Sequence, residues 1–127
     1  MSADLVLLRG IAAEAVSLQE GAEMIIKAVH EGEPLGEVAR HGGPLVRSLF
    51  ALEERLPQPA NPELRRYVTR FRAILRYDAE LVHQSIELLS MMPLGSPRLE
   101  EQRRKLGGLG PPAAELRRLA AELKELG

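Results

Sequence analysis

Residues 61–92, NPELRRYVTRFRAILRYDAELVHQSIELLSMM, predict one long amphipathic helix. Asn61 is a good N-cap, Pro62 has the preset φ of a first helical residue, and Glu63 meets the positive end of the helix dipole. Pro93 stops the helix after Met92. Three neighbouring heptad columns form a wide apolar face: Tyr67, Ile74, Leu81 and Leu88; Val68, Leu75, Val82 and Leu89; and Leu64, Phe71, Asp78, Ser85 and Met92.

The N-terminal window, residues 1–33, also lacks proline and predicts a second long helix. Ser2 or Asp4 can cap its start, and Gly32 can end it because a left-handed C-terminal residue needs no Cβ. Small residues keep one face of this helix thin, so that a neighbouring helix can approach closely; they are Ala15, Gly21 and Ala22. Its apolar residues recur every three or four positions: Leu8, Ile11, Ala15, Leu18, Ala22, Ile25 and Val29.

Residues 34–56 keep the same apolar spacing across Gly42-Gly43-Pro44. An interior proline removes a backbone hydrogen bond and clashes with the preceding turn, so we expect a helix that is kinked or broken at Gly42–Pro44. The connections at about 31–33 and 57–61 are short, and short connections make consecutive helices antiparallel neighbours.

The last third of the chain predicts two shorter helices. Ser96-Pro97 starts the first, which Gly107-Gly108 ends, and residues 112–126 form the second. The second helix has a narrow leucine stripe that needs a partner surface, and the four leucines are Leu116, Leu119, Leu123 and Leu126. These helices form either a broken fourth helix or a C-terminal arm. The sequence therefore predicts an all-α, up-down antiparallel bundle, with a three-helix core in 1–92 and C-terminal helices in 93–127.

The composition excludes several classes of protein. The 127 residues include no cysteine, which removes disulfides, thiolate nucleophiles and cysteine metal ligands. Seventeen Lys and Arg face 18 Asp and Glu, so no global charge attracts nucleic acid or anionic lipid. The first residues lack the basic segment of a signal peptide, and no uncharged apolar run approaches the ~20 residues of a membrane span. We therefore expect a cytoplasmic protein.

Glu80 and His83 have the Glu-x-x-His spacing of metal sites in helical bundles. Such a site needs further carboxylates and imidazoles pointing into the bundle, whereas the heptad pattern places this pair on the outer face. The sequence therefore predicts no metal site and no cofactor. It also contains no recognisable catalytic constellation.

Asp78 and Ser85 interrupt the apolar face of residues 62–92. A buried carboxylate needs a partner. If residues 62–92 and 34–56 pair with equal rise, Asp78 faces position 40, beside His41 and the backbone N–H groups freed at the proline. We expect Asp78 to accept hydrogen bonds there. A ligand or metal site around Asp78, His41 and Ser85 is the functional alternative.

Five arginines occur between residues 64 and 77 without an acid among them: Arg65, Arg66, Arg70, Arg72 and Arg76. Nucleic-acid binding would require a basic excess and exposed aromatic residues, which this chain does not provide. We expect a solvated face paired with acids such as Glu53 and Glu54. Docking of an acidic protein and binding of nucleic acid are the alternatives, in that order.

The sequence as a whole favours a non-enzymatic helical interaction module, such as an adaptor, regulator or assembly factor. Its expected partner is a helical protein or a second copy of the chain. The thin face of the first helix and the leucine stripe of residues 112–126 are the expected contact surfaces, because both suit packing against an amphipathic helix. A ligand- or metal-binding bundle and a nucleic-acid-binding protein are the alternatives.

Overall fold

The computed structural model describes residues 3–91, 95–105 and 109–126, which form five helices and contain no strand. The all-α prediction is confirmed. No helix in these ranges is long and apolar enough to cross a membrane. The helices are α1 (Ala3–His30), α2 (Leu35–Glu54), α3 (Pro62–Met91), α4 (Pro97–Lys105) and α5 (Gly110–Glu125). The predicted stops at Pro93 and Gly107-Gly108 lie outside the described residues.

Two helix ends have the predicted capping structures. The Asn61 side-chain oxygen accepts hydrogen bonds from the backbone N–H of Glu63 at 2.8 Å and of Leu64 at 3.3 Å. At the end of α1, Gly32 has a φ of +88°. The Gly32 N–H donates to the Val29 carbonyl and the Glu33 N–H donates to the Ala28 carbonyl, a Schellman arrangement that requires the left-handed residue.

Helix α2 is continuous through Gly42-Gly43-Pro44, so the predicted alternative of a broken helix is wrong. Pro44 lies inside the helix. Gly42 allows α3 to approach closely, because a Cβ there would lie 2.6 Å from Cδ1 of Ile86. The glycine that resembled a helix breaker is therefore a packing residue.

Helices α1 and α3 form the centre of the bundle. Each of them contacts every other described helix, whereas α2 and α5 lie on opposite sides of the central pair and do not touch in the described part of the chain. The side-chain pairs run antiparallel: Glu14 of α1 bonds to Arg55 just after α2, and Gln19 of α1 bonds to Ala113 of α5. Helix α5 therefore packs as part of the bundle, as the alternative of a fourth helix implied.

The core continues from the three long helices into α5. Three leucines of α5 are buried together with Phe71, Leu49 and Leu8. Burial of such side chains stabilises by roughly 1.5–3 kcal/mol each. At the other end of the bundle, Leu99 of α4 and Leu109 are buried with Val29 and Leu89. The C-terminal helices are therefore part of the packed core.

Helices α2 and α3 pair in a different register from the one predicted. Gly42 lies against Val82 and Ile86, and Glu53 pairs with Arg72 and Arg76. Residues 62–71 of α3 therefore extend past the end of α2. The predicted pairing with equal rise is therefore wrong; Leu56 and Pro59 of the connecting segment are buried.

The close approach at Gly42 predicts opposite effects for two neighbouring glycines. Gly43→Ala should raise the free energy of unfolding by up to about 1 kcal/mol, because alanine favours a helix and its Cβ would meet only Nη1 of Arg47, at 3.8 Å. Gly42→Leu should lower it by about 1–3 kcal/mol through overpacking. Urea unfolding followed by circular dichroism measures both, and equal effects would contradict the close α2–α3 contact.

Candidate functional site

An open apolar groove of about 470 Å³ lies between α1 and α2. This volume falls in the range of ligand-binding clefts, roughly 300–1,000 Å³. The groove is lined by Gly21, Met24, Ile25, Ala28, Glu33, Glu37, Val38, His41 and Leu45. Neither helix alone could form it.

Small side chains on α1 keep this groove open. Gly21 contributes no side chain, and a Cβ placed there would already touch the Cδ atoms of Leu45 at 3.5–3.6 Å. Ala28, two turns later, contributes only a methyl group. Ala15 and Ala22 of the predicted thin face are fully buried, so they receive helices of the chain itself. Gly21, the third small residue of the predicted thin face, stays partly exposed in the groove, as does Ala28.

Met24 stands at the edge of the groove with 72% of its surface exposed, the largest exposed fraction among the large apolar residues described. Methionine is flexible and adapts to varied apolar partners, and it is over-represented at promiscuous binding surfaces. An exposed methionine beside an open apolar floor is therefore typical of a contact surface.

The rim of the groove is acidic at the end near the α1–α2 turn. Glu33 and Glu37 both line it, and both are exposed. His41 lies 4.0 Å from Glu37, so it balances this charge only when it is protonated. The groove thus combines an apolar floor with negative charge at one end.

A second hollow of about 330 Å³ continues along the same two helices towards the other end of the bundle. It is lined by Glu14, Ser17, Leu18, Ser48, Ala51, Leu52 and Arg55. The ion pair of Arg55 with Glu14, at 2.7 Å, closes it. The α1–α2 face therefore has two hollows along its length, and the second includes small residues from both helices, such as Ser17 and Ala51.

Asp78 is fully buried, as predicted, but the predicted partner is wrong. Neither carboxylate oxygen has a hydrogen-bond partner among the described residues. The α2–α3 register places Asp78 level with about residue 48, which is roughly two helical turns from position 40. His41 instead lies on the exposed α1–α2 side, and its contact is Glu37.

The environment of Asp78 favours its neutral form. Burial and, to a smaller extent, the negative charge of Glu23 raise the pKa of this carboxyl from its ordinary 3.8 to about 7, against the opposing effect of Arg117. Glu23 and Arg117 form an ion pair at 2.5 Å with each other. Asp78 therefore lies inside the bundle between α1, α3 and α5, away from the groove.

Two other buried polar groups lie near the central helices. Ser85, the second predicted intruder, donates its hydroxyl to the Leu81 carbonyl at 2.8 Å and is satisfied within α3. Gln19 was not predicted. Its Nε2 donates to the Ala113 carbonyl at 3.0 Å, while its Oε1 lacks a donor among the described residues. Its position between Ala15 and Ala22 was the available sequence signal.

Three of the five predicted arginines form ion pairs with acids of the same chain. Arg70 pairs with Glu115 of α5, and hydrogen bonding to Arg70 lowers the pKa of that carboxyl. Arg72 and Arg76 both approach Glu53, at 3.8 and 2.5 Å, as the predicted pairing with acids implied. Arg65 and Arg66 lie on the exposed surface near the start of α3. Much of the basic cluster thus connects helices.

The leucine stripe of residues 112–126 packs inside the bundle. Leu116 and Leu123 have no exposed surface and Leu119 has 6%, while Leu126 is half-buried against the same core. A partner could reach these leucines only if α5 left α1 and α3.

The Glu80–His83 pair lies on the exposed surface, as predicted. His83 contacts Glu87 at 2.9 Å, one turn along the same helix. Within residues 3–91, 95–105 and 109–126, no three His, Asp or Glu side chains converge in a way that could hold a metal ion.

No protein-family model, no curated protein and no solved structure matches this chain.

The unpaired carboxyl predicts a specific pH dependence of stability. Because burial raises the pKa of Asp78 to about 7, the folded chain should lose stability as the pH rises from about 4 to 7, with no further loss above that range. Asp78→Asn should therefore raise the free energy of unfolding by up to about 4 kcal/mol at pH 8 and have little effect near pH 4.

Urea unfolding at pH 4, 6 and 8 measures this difference. Glu80→Gln is the matched control, because Glu80 is an exposed carboxyl on the same helix. A loss of stability for Asp78→Asn at pH 8 would show that the carboxylate has a partner and would contradict the unpaired geometry.

Proposed function

We propose that this chain is a non-enzymatic interaction module that binds an amphipathic helix with basic residues in the groove between α1 and α2. The observation that carries the proposal is the open apolar groove beside the exposed Met24, with Glu33 and Glu37 at its rim. An adaptor, regulator or assembly factor would use such a surface.

The shape of the groove supports a helical occupant. Amphipathic helices bind in apolar grooves through residues spaced at i, i+3 or i+4, and i+7. Gly21 and Ala28 lie one above the other on α1, two turns apart, and leave room for the side chains of such a helix. The hollow near Ser17 and Ala51 extends the same path.

The charge of the rim supports a basic occupant. Glu33 and Glu37 lie beside the apolar floor, and the facing His41 is close only to Glu37. Lysine or arginine at the edge of a bound helix would place positive charge against these carboxylates, which favours a basic partner over an acidic one.

The alternative functions have less support. A ligand or metal site that joins Asp78 with His41 is not assembled, because Asp78 is buried towards α5 and His41 contacts Glu37. Nucleic-acid binding would need the arginines that already pair with Glu53 and Glu115.

Two synthetic helical peptides test the proposal directly. Both carry the same leucine and alanine stripe, and one has lysines on its polar face where the other has glutamates. Fluorescence anisotropy should show tighter binding of the lysine peptide. Met24→Ser should weaken this binding by about 5- to 30-fold, because it removes roughly 1–2 kcal/mol of apolar contact. The double variant Glu33→Gln, Glu37→Gln should reduce the preference for lysine.

The matched control is Phe50→Ser, which removes an exposed apolar side chain of α2 that does not line the groove. Equal affinity for the two peptides, no binding of the lysine peptide, or equal effects of Met24→Ser and Phe50→Ser would contradict the proposal. A dimer of the chain that Met24→Ser dissociates would identify a second copy as the occupant instead.

A further inference from the structure

Helix α5 covers a polar layer of the bundle interior. Gln19 of α1 bonds to the Ala113 carbonyl in the first turn of α5. The charges that act on Asp78 come from Glu23, one turn after Gln19, and from Arg117, one turn after Ala113. Asp78 therefore belongs to this layer, and the start of α5 helps to exclude water from it.

Several polar contacts hold α5 at the surface of the bundle. The Arg9 guanidinium donates to the carbonyls of Leu123, at 2.8 Å, and of Leu126. Arg70 bonds to Glu115, and the Tyr67 hydroxyl donates to Glu122 at 3.1 Å. These contacts are exposed or half-buried, so each contributes little on its own. The apolar burial of the leucines supplies most of the attachment.

The unsatisfied polar groups of the interior layer disfavour the docking of α5. Both oxygens of Asp78 and the Oε1 of Gln19 are buried without a donor in the described ranges. An unsatisfied buried acceptor costs about 1–3 kcal/mol, and an ionised one costs more. Water that entered beneath a released α5 would supply the missing hydrogen bonds, so release of α5 relieves this cost.

We propose that α5 is a pH-dependent latch, docked on α1 and α3 when the Asp78 carboxyl is neutral and released more often when it is ionised. The docked state binds the proton more tightly than the released state, in which water reaches the carboxyl. By linkage, docking is strongest at acidic pH and weakens as the pH rises from about 4 to 7. The ratio of docked to released α5 falls by up to about tenfold per pH unit in this range.

The other charged groups around the layer form ion pairs with one another. Glu23 of α1 and Arg117 of α5 pair with each other, and Glu53 of α2 pairs with Arg72 and Arg76. In α4, Arg103 is buried and pairs with Glu100 at 3.4 Å.

One histidine touches the C-terminal helices. The Nδ1 of His30 lies 3.0 Å from the Arg103 carbonyl. His30→Gln therefore separates its contribution from that of Asp78.

The released state would expose the leucines that the docked state buries. Leu116, Leu119 and Leu123 face the core of the bundle in the structure. Release presents this apolar stripe and uncovers the matching surface of α1 and α3. The latch thereby controls access to a surface that is distinct from the α1–α2 groove.

Hydrogen exchange of the full-length chain tests the latch. NMR would measure protection factors for amides of α5 and of α2 between pH 5 and 8, corrected for intrinsic exchange rates. We expect the α5 amides to exchange through openings that leave α2 protected. As the pH rises towards 7, the protection factors of the α5 amides should fall by up to about tenfold per pH unit. Asp78→Asn should remove most of this slope, and His30→Gln should retain it.

Equal protection and equal slopes in α5 and α2 would overturn the latch, because the openings would then be global. A slope that persists in Asp78→Asn, or one that His30→Gln removes, would also overturn it. Asp78→Leu removes the same carboxyl and provides a second test. If neither variant folds, the difference in amide protection between α5 and α2 of the unmodified chain still tests the latch.

Discussion

The fold depends on close packing between α1 and α3. Each of these helices must contact every other described helix, so each is enclosed on several sides. Small buried residues make this possible: Ala12, Ala15, Ala22 and Ala79 have at most 2% of their surface exposed. The same enclosure buries Gln19 and Asp78, which a more open bundle would leave hydrated. Dense packing and unsatisfied polar groups thus have one origin in this chain.

Local signals in the sequence predicted the helices well. Asn61 caps α3 with its side chain, Gly32 has the positive φ that favours glycine, and the apolar spacing of α1 and α3 continues over many turns. At Gly42-Gly43-Pro44, only the alternative of a broken helix was wrong. A glycine required for close approach of a second helix resembles one that breaks a helix, and only the position of Ile86 distinguishes them.

The candidate sites were harder to predict because they depend on how neighbouring helices are aligned along their axes. The apolar column containing Asp78 indicated its burial, but its neighbours depend on how far α3 slides past α2. A count from the helix ends gave a different offset from the one that the contacts of Gly42 and Glu53 show. The groove was missed for a similar reason, since Met24 and His41 become neighbours only after α1 and α2 pair.

The burial of Asp78 without a partner is the central claim about this molecule, because the proposed behaviour of α5 depends on it. Titration of the Asp78 side-chain carboxyl carbon by ¹³C NMR tests it most directly. Because burial raises the pKa of Asp78 to about 7, the titration should have its midpoint near pH 7. A midpoint near the ordinary 3.8, in a chain that stays fully folded throughout the titration, would contradict it.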